Sequence, residues 1–574
     1  MIEPLLTSTT ADSAKSPAVW PFLSAEPGVT LLREESTQHP FALAVAAAWS
    51  CYGGRPAKVE TVQKLVSGPE PEGLSLVKAA DRAHRRERAM KLHADLFAAG
   101  HHTTLQHANF VFVLDNVSRL AIWSFFHAHP FYNSEQVSQR YREVTGETMV
   151  TPDLPPAELE IYSGAIQRAL EGYRNLTELL APDMARRYGG VFPGRAKAKG
   201  PAAEGRFADA VQKRAQEVAR YVLPLSTSAH LYHTVNGLTL LRYHVLASQP
   251  DVPSEVRAIV DRMLAEVLAV DPYFLGAPGF PLDLRLLDTG ETLEARALGA
   301  WRGALMQPEG VTVAARDAFD EALGPYDSRL IGYDGDAERV MAEAVRTVLA
   351  ATPETLSDED ALAQVLDPTR NPYLGHPLFL GMQSKLMQTL SHVPFTWAKR
   401  ISMAEDAQNQ RHRGTAGSRP ALLAWNSREP DVIVPWAIRQ NAAALAEYEA
   451  TIGALTEARA TLLDRGVPPE ATFYLIPNAQ RIRFYESGTL LDYYWKWVKR
   501  LCYDAQREIF ETAVDEVAQV REVLPTIGRY VDGPPCVMRS RAGTAPICPE
   551  GERFCGIPVW RDYQFEELEP RRVM

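Results

Sequence analysis

The chain has 574 residues, 46% hydrophobic and 23% charged, an ordinary globular composition with room for about two to four domains that excludes disorder, collagen and a small disulfide scaffold. Sixty basic against 71 acidic side chains leave a formal charge of −11, which argues against wrapping nucleic acid or an anionic membrane but leaves room for local anion pockets and a small phosphorylated substrate. Five cysteines in a chain of this size point to a reducing compartment, with the cytoplasm as the default.

Residues 1–30, rich in Ser, Thr, Pro and Ala without periodicity, read as a loose leader. Glu3 precedes any basic residue and no sustained apolar run follows, so no secretory signal is expected there. The most apolar window, Phe41 to Tyr52, is about half the ~20 residues a membrane span needs, so a soluble intracellular protein is expected.

The first strong strand signal is His107-Ala-Asn-Phe-Val-Phe-Val-Leu-Asp-Asn-Val-Ser-Arg119, where Phe110, Phe112 and Leu114 alternate ahead of a helix predicted from Ser118. Next, Asn133-Ser-Glu-Gln-Val-Ser-Gln-Arg-Tyr141 sets Ser138 and Arg140 two apart. In extended backbone both would leave from one face, a hydroxyl and a guanidinium suited to clamp a phosphate; a solvated loop is the alternative. Glu217 and Arg220, three apart on a predicted helix, are spaced to pair with each other. A helical stretch, Val252–Val270, leads to Gly276-Ala-Pro-Gly-Phe-Pro281 and then a charged stretch near 290–325, which places a domain junction between about 275 and 325.

Beyond the junction the pattern returns. His392-Val-Pro-Phe-Thr-Trp-Ala-Lys-Arg-Ile-Ser402 has the same His, aromatic pair and Ser as the earlier strand, with its His 285 residues after His107. Glu217-Val-Ala-Arg-Tyr-Val-Leu-Pro224 has a counterpart 253 residues later in Glu470-Ala-Thr-Phe-Tyr-Leu-Ile-Pro477. The falling offset reads as an internal duplication whose second copy has lost a segment. Between these motifs, Gln410-Arg-His-Arg-Gly-Thr-Ala-Gly-Ser-Arg419 gathers three guanidiniums, an imidazole and two glycines, a composition suited to a pyrophosphate and equally to a basic surface loop.

Leu490, Tyr494, Trp497, Leu501, Ala505 and Ile509 predict one long helix that carries Arg500 in its middle, either bound to an anion or snorkelling from the core. Cys536, Cys548 and Cys555 follow in a Gly/Pro-rich tail; they fit no Cys-x-x-Cys spacing and have no His nearby, so no metal is expected. No Walker loop, HExxH, GxSxG or Rossmann fingerprint is present. The class is α+β and helix-rich.

Taken together, these segments resemble the flavin-dependent thymidylate synthases over most of residues 30–270 and 325–535. The first copy carries His107, Ser118-Arg119, Ser138-Gln139-Arg140-Tyr141, Glu217, Arg220 and Thr234-Val-Asn236 in the family's order. It departs where His127-Ala128-His129 replaces an Arg-His-Arg run, where one extra residue precedes Ser-Gln-Arg-Tyr, and where Ala247 replaces a later Arg. The second copy carries His392, Ser402, Gln408, Arg411-His412-Arg413, Glu470, Arg500, Ala505-Gln506 and Glu508-Ile509. It has only the shortened Gly417-Ser418-Arg419 in place of the nucleotide loop, and Phe473 where Arg220 stands in the first.

The resemblance implies two thymidylate-synthase-like domains, residues 31–300 and 325–535, followed by a Cys-containing tail, 536–574. It implies reductive methylation of dUMP to dTMP with FAD as cofactor and NADPH and methylenetetrahydrofolate as co-substrates. Since the family works as a homotetramer with sites shared between subunits, it also implies a homodimer of this chain, a pseudo-tetramer of four copies. Ser138, Gln139, Arg140, Tyr141 and Arg500 would hold substrate; Arg411, His412, Arg413, His107, His392 and Asn236 would hold the cofactor; Arg500, Arg220 and Gln408 would be catalytic. Each copy lacks what the other keeps, so composite sites are expected. Altered chemistry on the same ligands, or a non-catalytic scaffold whose retained residues face apart, are the alternatives.

Overall fold

The structure, a computed structural model, describes residues 22–69, 71–145, 149–249, 252–287, 309–421 and 428–573. Residues 1–21 of the expected leader and 288–308 of the expected junction lie outside the described residues. Strand β1 (Gly28–Leu31) takes the last residues of that leader into a sheet.

The alternation seen in the sequence makes β2 (Asn109–Ser118), whose Phe110, Phe112 and Leu114 are fully buried. With β3 (Asn133–Gln136) and β4 (Ser228–Asn236) it forms an antiparallel sheet in the order β1-β2-β4-β3. After a small hairpin, β5 (Gly276–Ala277) with β6 (Phe280–Pro281), the arrangement repeats. Strands β7 (Ser328–Tyr333), β8 (Pro394–Ser402), β9 (Ala416–Ser418) and β10 (Arg481–Thr489) pair in the order β7-β8-β10-β9. The second sheet is the first with the numbers advanced, so the duplication is structural.

A bulge between Leu114 and Val117, with Asn116 at φ 59°, puts one extra residue into β2. That brings the offset to 284 at the serines that follow, Ser118 and Ser402. Both cap the next helical turn: Ser118 Oγ accepts from the N–H of Ala121 and Ser402 Oγ from that of Glu405, each at 3.0 Å.

The two halves meet on their repeated segments. Pro224 and Pro477 face each other in an antiparallel bridge. Around it Leu225 N–H donates to Ile476 O at 2.8 Å and Asn478 N–H to Leu223 O at 2.9 Å, a reciprocal exchange like that at a two-fold axis. Helix Pro156–Val191 crosses helix Ala442–Asp464 beside this bridge, and one apolar core holding Tyr162, Leu176 and Leu180 with Tyr448, Leu455 and Leu462 runs through the contact. Each sheet has its own core as well, and that of the second takes in Cys536, Met538, Val559, Phe565 and Leu568. The segment after 535 is therefore packed into the second half. Among the described residues no helix is long and apolar enough to cross a membrane.

Two local expectations are corrected. The strand before the Ser138-Arg140 pair ends at Gln136, and Ser138 opens a turn in which its Oγ accepts from the N–H of Arg140 at 3.2 Å, so the pair does not sit on extended backbone. The single helix expected from Leu490 to Ile509 is two, Leu490–Arg500 and Arg507–Val523. The break is held by arginines: Arg140 donates to Asp504 O and Arg572 to Ala505 O, both at 2.7 Å, giving these backbone carbonyls the partners a continued helix would have supplied.

Candidate active site

Where the halves meet, a cavity of about 620 Å³ opens, within the range of small-molecule sites. The first half lines it with the turn Ser138, Gln139, Arg140 and Tyr141, together with Arg119 and Arg220. The second half contributes Gln408, Arg411, His412 and Arg500. The sets expected to be complementary therefore share one space.

Each side chain is placed by its neighbours. Arg140 Nε pairs with Glu217 at 2.5 Å, so Glu217 bonds the loop and not Arg220. Arg220, buried, reaches across the junction to the side chain of Gln506 and to Ala404 O. Gln408 donates to the same Gln506 oxygen at 2.5 Å. Arg500 sits at the last residue of its helix, not mid-helix; it donates through Nε to His412 Nε2 at 2.9 Å and through its terminal nitrogen to Gln408 O at 2.8 Å. Arg411 pairs with Glu135 of the other half at 3.2 Å, with both side chains exposed.

The cavity concentrates positive charge in a dry setting. Burial, reinforced by Arg140 and Arg411, lowers Arg500 to about 9. Burial, reinforced by Arg220, does the same to Arg119, also to about 9. Burial and then Arg500 drive His412 far below its ordinary value, which keeps the imidazole neutral and its Nε2 free to accept from Arg500. Burial also opposes the charge of Arg140, but Glu217, together with Tyr141 and Asp504, outweighs it and holds the guanidinium above its ordinary pKa. An anion entering here relieves repulsion among arginines that the protein only partly neutralises.

Five buried polar atoms of the described lining residues have no hydrogen-bond partner within the protein: Arg119 Nε, His127 Nε2, Gln139 Nε2, Arg220 Nε and Gln408 Oε1. Three donors, one acceptor and an imidazole nitrogen are therefore open to a polar ligand.

The remaining expected site residues are elsewhere. His107 and His392 are exposed, each two residues before its strand. Asn236 caps the helix Gly237–Leu246 by accepting from Thr239 N–H at 2.9 Å. His107 and Asn236 lie at the start of β2, roughly 30 Å from Ser118 at ~3.4 Å per residue. Arg413 lies over the Tyr132 ring, 5.4 Å from its centre, outside the cavity lining.

Sequence reasoning did not single out Asn478, which bridges Gln139 Oε1 at 3.2 Å and Arg220 O at 2.9 Å, nor Glu550 and Arg553, which the tail brings to the cavity wall. Asn478 was within reach, as the residue after the repeated proline; nothing in the tail's spacing marks the other two.

At the reciprocal location the retained arginine is engaged within the protein. Arg419, in the counterpart of the nucleotide loop, is bound at both ends of its guanidinium to the buried Asp406, at 2.6 and 2.7 Å, and Trp123 of the first half donates to the same carboxylate at 2.8 Å. Phe473 and Ala247, standing where the other copy has arginines, are buried in apolar clusters.

The comparisons with known proteins agree with this division. Residues 32–273 and 329–526 match the family model described as thymidylate synthase complementing protein. A flavin-dependent thymidylate synthase of Geobacter sulfurreducens is 29% identical over 247 residues, which cover 42% of this chain and 97% of that protein. One from Clostridium tetani is 24% identical over 245 residues, 43% of this chain and 84% of the relative. One from Nitratidesulfovibrio vulgaris is 30% identical over 185 residues, 30% of this chain and 73% of the relative.

Proposed function

The chain belongs to the thymidylate synthase complementing protein family, and from that premise we propose that it is a flavin-dependent thymidylate synthase whose two copies build one composite site. The reaction is reductive methylation of dUMP to dTMP, with methylenetetrahydrofolate giving the carbon and NADPH reducing FAD. The observation that carries this reading is the single cavity lined by Ser138, Gln139, Arg140 and Arg220 from one copy and Gln408, Arg411, His412 and Arg500 from the other. A scaffold would have no use for retained residues that face each other.

The donor set fits the ligands. A uracil ring needs donors for its carbonyls and an acceptor for its imide N–H, and Gln139 Nε2, Arg220 Nε and Gln408 Oε1 are groups of those kinds without protein partners. Arg140 and Arg500 would grip the phosphate, with Ser138 and Tyr141 at the same mouth. Arg220 and Arg500 would stabilise charge developing on the ring, in a setting where burial makes that interaction strong. Arg411 and His412 would hold the flavin, whose chemistry when bound is hydride transfer, with Arg413 beside them over the Tyr132 ring. His107, His392 and Asn236 cannot reach this cavity within the chain; a second chain, completing a four-copy assembly, would bring them to it.

Complementation of a thymidine-requiring strain tests the reading. Growth without thymidine is expected from the intact chain and not from Arg500→Ala. A folded chain that neither restores growth nor turns yellow on incubation with FAD would overturn the proposal.

A further inference from the structure

Four of the five cysteines meet far from each other in sequence. Cys502 follows the helix that ends at Arg500, Cys536 lies in the first turn of helix Pro535–Arg541, and Cys548 and Cys555 belong to a stretch whose regular structure is a single turn, Gly551–Arg553. All four line one small enclosed pocket, together with Phe554 and Val559. None is in a disulfide, and the fifth, Cys51, is exposed elsewhere.

We propose that Cys502, Cys536, Cys548 and Cys555 bind one zinc-class divalent cation as a tetrathiolate site, clamping the C-terminal segment onto the chain that follows Arg500. The space between them is about 10 Å³, room for about one water-sized sphere. Sulfur from four cysteines, with no His or carboxylate needed, is the donor set of a closed structural site for a soft tetrahedral ion. The spacing of the three tail cysteines and the lack of a nearby His argued against metal, leaving zinc only with a fourth ligand from elsewhere; Cys502 is a fourth sulfur on the same pocket.

Cys555 Sγ donates to Ile557 O at 3.5 Å, a bond the thiol gives up when it binds a metal as thiolate. Binding replaces four S–H protons by one divalent ion, leaves a net charge of −2 on the site and releases four protons. Among the described residues no three His, Cys, Asp or Glu side chains stand in ligating geometry; binding would require the four thiols to turn onto the ion.

The clamp bears on the cavity between the halves. Cys502 lines both spaces, and Glu550 and Arg553, beside Cys548 and Cys555, form part of the larger cavity's wall. The carbonyl that holds Arg140 belongs to Asp504, two residues from Cys502. The ion would therefore fix the tail and the helix break together.

The test is elemental analysis of the full chain purified without chelator from zinc-supplemented cells. One zinc per chain is expected, falling several-fold in Cys548→Ser and Cys555→Ser and unchanged in Cys51→Ser. Because a tail variant can misfold, the intact chain is also exchanged with Co2+, which should give the charge-transfer and intense d–d absorption of a tetrahedral tetrathiolate. A thiol reagent should modify Cys51 alone until the metal is removed. A folded chain without metal, a disulfide among the four, iron with acid-labile sulfide, or five equally reactive thiols would each overturn the proposal.

Discussion

Tyr474 of the second copy donates its hydroxyl to Glu255 of the first at 3.0 Å, and 253 residues earlier Tyr221 returns the bond to Glu508. Glu255 also accepts from Ser118, at 2.7 Å from the backbone and 2.5 Å from the hydroxyl. Burial nonetheless prevails over those three donors and raises the carboxyl to about 7. In the unfolded chain it titrates near its ordinary 4.5, so between about pH 4.5 and 7 the native state binds more protons and stability falls as pH rises, levelling off above. Glu255→Gln cannot ionise and should remove this slope. Chemical denaturation at about pH 5 and about pH 8 should show the parent losing about 2–3 kcal/mol more than the variant between them; equal losses would mean that Glu255 ionises as in water.

Arg140 and Arg500 come from different copies, and the composite reading requires both. Arg140→Ala and Arg500→Ala should each weaken dUMP binding by about 1.5–3 kcal/mol, roughly 10- to 100-fold in Kd by calorimetry on the FAD-loaded chain. An effect of one alone means that the phosphate is held by a single copy.

Arg411 makes an exposed ion pair with Glu135 at 3.2 Å. Such a pair is worth about 1 kcal/mol or less, so Arg411→Ala should leave the unfolding midpoint almost unchanged. Flavin retained through gel filtration should fall sharply, measured as bound absorbance per chain. Full retention would move the flavin away from Arg411.

How much of this was legible in the sequence depended on the range of the interaction. Alternation at Phe110, Phe112 and Leu114 is local physics, and β2 formed there. The offsets of 285 and 253 located both sheets, because strands repeat with their neighbours. The helix expected through Ile509 failed because its apolar spacing continues across a break sealed by Arg140 and Arg572, which no local pattern encodes. The Ser138-Arg140 spacing found the correct residues with the wrong backbone, since a turn as well as a strand can aim both at one cavity. Cys502 joined the tail cysteines only through folding.

Lys399 was equally invisible, one of two adjacent cations in a strand, with Trp397 and Ile401 two residues to either side. It is fully buried, 3.0 Å from Glu486 and 2.6 Å from Glu516. Burial opposes its charge, but the two carboxylates outweigh it and hold the pKa above the ordinary lysine value. Lys399→Met should cost about 3–5 kcal/mol, because it strands buried negative charge more than because it loses a bond. Adding Glu516→Gln should recover part of the loss in a denaturant titration. A single variant as stable as the parent would mean that the carboxylates take up protons without penalty.

Gly172 sits where helices of the two halves come into close contact. A Cβ there would lie 2.2 Å from Thr451 Oγ1 and 2.7 Å from its Cγ2 on the crossing helix. Thr451 cannot swing away, because it is fully buried and its hydroxyl donates to Glu447 O at 2.8 Å. Gly172→Ala gains about 1 kcal/mol of helix propensity but forces two helices apart across a packed core, an overpacking cost of about 1–3 kcal/mol. Net destabilisation is therefore expected, with Thr451→Ala restoring stability in the double variant beyond what the two single changes predict. The same helices hold the copies that share the cavity, so Gly172→Ala should also weaken dUMP binding without touching the nucleotide. Unchanged stability in Gly172→Ala would show that the crossing has slack, and the composite site would then need another explanation for its alignment.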